Sequence, residues 1–213
     1  MRYAIFSDIH NHTAALTRML SDANTRQVDA YLCLGDVGVD ACVELVRNRG
    51  AETVFGNWEL TNWRGLSPAN QQWALQLPPV RRYDGFWISH AAPNWPKQLT
   101  SLQKLLQNRR GLHLGSLFPY YLSVSNELWQ AFGELTAAQV SVLFHGHTHR
   151  QNVWDFMPDN EIKSYPPADL SLIKDHTYII GVGSVGQPKD GPHAAYLIFD
   201  TTEQHIEFIR LPD

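Results

Sequence analysis

Histidines carry the most chemical potential in this chain. Three of its ten, His145, His147 and His149, fall within residues 144–149, directly after the apolar run Val140, Ser141, Val142, Leu143. His147 and His149 are separated by one residue. Side chains alternate along a strand, so an i, i+2 pair leaving a strand end can present both imidazoles to one side. That arrangement suits two neighbouring metals, or one metal held twice. Read alone, these six residues describe a solvated histidine-rich loop equally well, and what separates the two readings lies upstream.

Four earlier apolar runs end in the same manner. The run at 3–6 ends at Ser7, Asp8, Ile9, His10, and the run at 30–34 ends at Gly35, Asp36. The run at 53–55 ends at Gly56, Asn57, Trp58, Glu59, and the run at 86–88 ends at Ser89, His90. Folds of the α/β class deliver functional groups at the carboxyl ends of buried strands. Each ending has a bland explanation by itself, since Asp and Asn favour turns and Asp caps helices. Five such endings in one chain argue for a single shared site. Gly35, Gly56 and Gly146 allow the backbone to turn sharply beneath it.

The elements that must position these residues are legible in outline. Beyond Thr13, a plausible N-cap, Leu16, Met19, Leu20 and Ala23 share one helical face. Val39, Cys42, Val43 and Val46 fall at i, i+3, i+4, i+7, with Asp40 placed to cap that helix. Strands are predicted over 153–157 and 161–165 around the turn Pro158, Asp159, Asn160, and again over 177–182, 194–199 and 205–210. The front half reads as βα units and the back half as strands. No linker divides them, so residues 1–213 form one expected domain. Residues 95–121 interrupt the regularity with Trp95, Phe118, Tyr120 and Tyr121, the basic residues Lys104, Arg109 and Arg110, and a helix suggested by Leu99, Leu102, Leu105 and Leu106. This insertion is either a cap whose lining suits a base and a phosphate, or a packed surface excursion.

Composition narrows the function classes. The 213 residues are 44% apolar and 18% charged, ordinary for a globular protein. A net charge of −4 supplies no chain-wide basic field for nucleic acid. No apolar run reaches the length of a membrane span, and the N-terminus lacks the pattern of a secretory signal, so a cytoplasmic location is expected. Cys33 and Cys42 are too few for a disulfide framework or a four-cysteine zinc site and read as reduced, packed thiols. Oligomeric state is not readable from the sequence.

Taken together, Asp8 x His10, Gly35 Asp36, Gly56 Asn57, His90 and Gly146 His147 Thr148 His149 resemble the signature of the calcineurin-like metallophosphoesterases. Gly183, Ser184, Val185, Gly186, Gln187, Pro188 near the end resembles the small bacterial and archaeal branch of that superfamily. The resemblance implies an α/β fold, a four-layer α-β-β-α sandwich of two mixed sheets. It implies two divalent transition-metal ions, one held by Asp8, His10 and His149 and the other by Asn57, His90 and His147, with Asp36 bridging both. His145 occupies a position that is not a ligand in the family. Imidazole, carboxylate and amide donors without thiolate point to manganese, iron or zinc. The implied activity is hydrolysis of small-molecule phosphomonoesters or phosphodiesters, nucleotides and dinucleoside polyphosphates included, by a metal-bridging hydroxide. The contrasting reading is a non-catalytic metal-binding scaffold on the same fold.

One position departs from the family. Many members follow the asparagine ligand with a histidine that serves the leaving oxygen; here that residue is Trp58, whose indole is a donor only and no general acid at neutral pH. His12, two residues beyond His10, is the candidate proton donor, against its plainer reading as a solvent-facing residue at the start of a helix. Glu59 is expected either to orient a ligand or to sit at the surface. The 183–188 loop, followed by Lys189, is expected near the phosphate, or as a simple connection between strands.

Overall fold

The computed structural model describes residues 1–212. In chain order, β1 (Arg2–Phe6), α1 (Thr13–Thr25), β2 (Ala30–Cys33), α2 (Asp40–Asn48), β3 (Glu52–Thr53) and α3 (Asn57–Asn62) form the first βα units. There follow α4 (Pro68–Gln76), β4 (Val80–Arg82), β5 (Phe86–Ser89), α5 (Leu102–Asn108), α6 (Leu114–Leu117), α7 (Asn126–Ala137) and β6 (Val142–His145). The remainder is β7 (Gln151–Phe156), β8 (Ile162–Tyr165), β9 (Leu170–Ser171), β10 (Thr177–Val182), β11 (Ala194–Asp200) and β12 (His205–Leu211).

Two six-stranded sheets result, ordered β3-β2-β1-β11-β12-β9 and β4-β5-β6-β10-β7-β8. In the first, β1, β2 and β3 are parallel, because α1 and α2 provide the crossovers that parallel neighbours need, while β11 runs antiparallel to β1. In the second, β5, β6 and β10 are parallel. Alternation along each strand then assigns the layers. Ile5, Leu32 and Leu197 of the first sheet, with Val54 just past β3, meet Ile88, Phe144 and Ile180 of the second. Ala4, Phe6, Cys33 and Ile198 face the opposite way, onto Leu16 and Met19 of α1 and Val43 and Val46 of α2. Trp87, Leu143 and Ile179 are covered by Leu128, Phe132 and Leu135 of α7. The expected α-β-β-α sandwich is present, and strands buried on both faces explain the nearly continuous apolar runs.

Local expectations need three corrections. The first helix is preceded by His12 as N-cap and has no side-chain cap, and Thr13 instead places its hydroxyl 3.3 Å from the Cys42 sulfur. Asp40 is the first residue of α2 rather than its cap, and its carboxylate accepts from the Ser67 N–H and the Asn70 amide. The run before the histidines becomes a strand only from Val142 and continues through His145. Both cysteines are free and buried. Among the described residues no helix is long and apolar enough to cross a membrane.

Candidate metal centre

Each implied ligand arrives just beyond the carboxyl end of a strand. Asp8 and His10 follow β1, Asp36 follows β2, and Asn57 opens α3 after β3. His90 follows β5, and His147 and His149 occupy the turn between β6 and β7. Four come from the first sheet and three from the second, so the site straddles the seam above the inter-sheet core. The strand-end geometry read from the i, i+2 spacing does not apply. His147 and His149 both lie outside a strand in the left-handed region, at φ 64° and 58°. Asp8, His10 and Asp36 share that conformation at φ 54°, 46° and 54°. It costs an L-residue roughly 1–2 kcal/mol, and it persists only where surrounding contacts over-determine the backbone.

Those contacts are explicit. The N–H groups of Ile9 and His10 both donate to the Asp36 carbonyl at 2.9 and 3.0 Å, interlocking the loops after β1 and β2. The Asp8 carbonyl accepts from the Ser184 hydroxyl at 2.7 Å and the Gly186 N–H at 3.0 Å. The Asp8 Oδ2 atom accepts the His147 N–H at 3.0 Å, joining the two sheets. A Cβ on Gly146 would overlap the Ser7 hydroxyl and lie 2.7 Å from Asp8 Oδ2. On Gly56 it would overlap Asp36 Oδ1 and lie 2.8 Å from His90 Nδ1.

The side chains converge in two groups, Asp8 with His10 and His149, and Asp8 with Asp36 and His90. Asp8 Oδ1 lies 3.2 Å from His149 Nε2 and 3.7 Å from His10 Nε2. Asp36 Oδ2, in the second group, lies 3.5 Å from both His90 Nε2 of that group and His10 Nε2 of the first. Asn57 Oδ1 is 3.1 Å from His90 Nε2. Backbone carbonyls fix the ring orientations: His90 Nδ1 faces the Leu34 carbonyl and His149 Nδ1 faces that of Gln187, each at 2.7 Å. With those protons so placed, the Nε2 lone pairs point into the site. His147 Nε2 and Asp8 Oδ1 are buried without a hydrogen-bond partner.

Burial shapes the charge state. It pushes the His147 imidazole down to about 3, leaving it neutral with a bare lone pair. Burial, assisted by Glu59 and Asp8, pushes the Asp36 carboxyl up to about 6 against the pull of His90. Burial also raises Asp8, but the His10 and His149 imidazoles outweigh it and hold that carboxyl well below its usual range. Among the described residues, the basic side chains within 4.0 Å of the Asp8 and Asp36 carboxylates are histidines, with no lysine or arginine to neutralise the pair. Buried carboxylates, free imidazole lone pairs and orphaned donor atoms together fit divalent cations.

Residues around the centre divide into those that support it and those that do not. Glu59 is buried, and its carboxylate accepts the N–H groups of Asp36, Val37 and Gly56 at 2.9, 2.8 and 2.8 Å, so it clamps the two loops that carry Asp36 and Asn57 and is no surface group. Glu59 sits at the third position of α3 and takes the N–H of the N-cap Gly56, one half of a capping box; glycine has no side chain for the other half, so the sequence carries only part of that signal. Trp58 is half-buried, and its N–H donates to Asp36 Oδ1 at 2.7 Å. His145 points into the core, with Nδ1 2.9 Å from the Gly146 carbonyl and its ring against Tyr121. His12 is exposed. Lys104, Arg109 and Arg110 are exposed on and after α5, whereas Phe118 and Tyr120 bring their rings against His147. The 183–188 loop lies on the Asp8 backbone, and the Lys189 N–H donates to the His149 carbonyl at 2.9 Å.

The calcineurin-like phosphoesterase superfamily domain matches residues 1–204. The chain belongs to that superfamily. An uncharacterised protein of Methanocaldococcus jannaschii is 30% identical to this chain, with 98% of this chain and 86% of the relative covered. A metallophosphoesterase from Sphaerobacter thermophilus superposes with a TM-score of 0.76 at 26% identity, covering 100% of this chain and 89% of the other. An archaeal phosphodiesterase superposes at 0.51 with 15% identity, covering 99% and 100%, and that likeness shows the fold alone.

Proposed function

We propose that this calcineurin-like chain is a hydrolase of phosphomonoesters or phosphodiesters that works with two divalent transition-metal ions. Asp8, His10 and His149 would hold one, Asn57, His90 and His147 the other, with Asp36 shared. Such a pair, when bound, makes hydroxide available near neutral pH and stabilises charge on the phosphoryl oxygens. The observation that carries the reading is the position of Asp36 Oδ2, equidistant at 3.5 Å from an imidazole nitrogen of each group.

The chain's own residues then have definite tasks. The Leu34 and Gln187 carbonyls keep His90 and His149 in the tautomer whose Nε2 is free. Glu59 holds the Asp36 and Gly56 backbones, and the Trp58 N–H occupies Asp36 Oδ1, leaving Oδ2 to the site. With Trp58 in place of the family's histidine, we assign the proton for the leaving oxygen to His12, exposed two residues beyond His10 at the start of α1; the alternative is a substrate such as an aryl, nucleotide or polyphosphate ester, whose leaving group needs no donor.

Metal analysis followed by assays on an aryl phosphate and a bis-aryl phosphate tests the proposal. Two equivalents of manganese and turnover of at least one ester are expected; a fully loaded protein inert on both, and on nucleotides, is the outcome that favours a scaffold. For His12→Ala, turnover of a poor-leaving-group alkyl ester falls while that of the aryl ester holds. Equal retention on both removes His12 from the mechanism.

A further inference from the structure

Tyr120 is a large ring the proposed chemistry leaves unused, although it lies against the site. Its centroid is 4.1 Å from that of His147, with the planes 33° apart, yet the residue is 55% exposed. The imidazole covers one face, so the exposure belongs to the opposite face and the edge. The flanking residues fix it there. Phe118 is buried, 6.0 Å from both His90 and His147 and 5.6 Å from Trp95. Trp95 is anchored in turn by its indole N–H to the Ala92 carbonyl at 2.9 Å. Tyr121 is buried against His145, and its carbonyl accepts the Trp154 indole N–H at 2.9 Å. Pinned on both sides, Tyr120 has little conformational freedom left to lose on binding. Leu122 and Val124, both about half exposed, extend the apolar surface along the chain.

A rigid aromatic ring with one open face beside a phosphate-ester site is a stacking platform. We propose that Tyr120 receives a planar aromatic group, an aryl ring or a nucleobase, carried by the substrate. The inference rests on the phosphoesterase reading and deepens it by naming the substrate class. A ring that merely props His147 would serve every phosphate ligand equally. A platform discriminates among them.

Calorimetric titration of the manganese-loaded protein separates the two roles. One pair of ligands is phenylphosphonate and methylphosphonate; the other is adenosine 5′-phosphorothioate and ribose 5-phosphorothioate. We expect the aromatic member of at least one pair to bind roughly tenfold more tightly. In Tyr120→Ala that preference falls to about unity, and in Tyr120→Phe it persists. A gain confined to the nucleoside pair identifies the group as a nucleobase, and a gain in both pairs identifies any planar ring. No preference in either pair, or equal weakening of both members in Tyr120→Ala, overturns the inference and leaves the phosphoesterase reading intact. No binding of any of the four, together with no turnover of bis-aryl phosphate, overturns that reading and this one with it.

Discussion

Asp36 and Glu59 are both buried carboxylates, and they do opposite work. Glu59 spends its oxygens on three backbone N–H groups, whereas Asp36 gives one oxygen to Trp58 and keeps the other free between His10 and His90. Asp36→Asn should therefore lower turnover by about a thousandfold or more and reduce metal content below two equivalents, because the shared negative charge is removed. Elemental analysis beside an aryl-ester assay checks this, and full activity would sink the metal assignment. Glu59→Gln substitutes a neutral group with a single acceptor oxygen for a carboxylate that serves three donors. We expect a loss of about 2–3 kcal/mol of stability in urea titration and manganese affinity weaker by roughly 10–100-fold. Unchanged affinity would mean that the loops hold their ligands without the clamp.

At the scale of elements, the site is built on strand ends that turn immediately into left-handed residues, and close backbone approach makes those turns possible. Gly146 is the tightest case. Gly146→Ala should leave the far-ultraviolet dichroism intact while abolishing metal uptake, since its methyl group would displace Ser7 and Asp8. Retained metal would show that the β6–β7 turn can shift without cost to the site. Helix α7 supplies the contrast: it covers the outer face of the second sheet with Phe132 and Leu135. Phe132→Ala should cost about 3–5 kcal/mol on unfolding and leave the kcat of the folded enzyme nearly unchanged.

For the whole molecule, the site joins two sheets, so ligation should stabilise both against separation. Manganese at a hundred times its Kd is expected to raise the Tm by roughly 5–10 °C over chelator-treated protein. An identical Tm would show that the metals do not couple to the fold. The two cysteines report on the layer between the first sheet and its helices. Burial raises the Cys33 thiol far above its usual range and raises Cys42 as well, so both stay protonated at pH 8. A disulfide reagent at that pH should find no reactive thiol in the native protein and two after unfolding. A rapidly reacting thiol in the native state would place one of them outside the packed layers.

The sequence by itself determined the fold class and, through its resemblance to the family, supplied the donor set proposed for the metals. Apolar runs buried on both faces, each ended by Asp, Asn or His, are a local pattern that survives without coordinates, and α1 and α2 declared themselves through helical spacing. Tertiary structure decided everything that depends on distance across the seam. Spacing alone could not show that Asp36 lies between His10 and His90, because those residues come from three different strand ends. Nor could it show that Glu59 is buried, that His145 turns inward, or that Tyr120 reaches His147 while Lys104, Arg109 and Arg110 stay in solvent. The left-handed turns at Asp8, His10, Asp36, His147 and His149 carry no glycine signal, since contacts with the opposite loops, and not residue preference, hold them there.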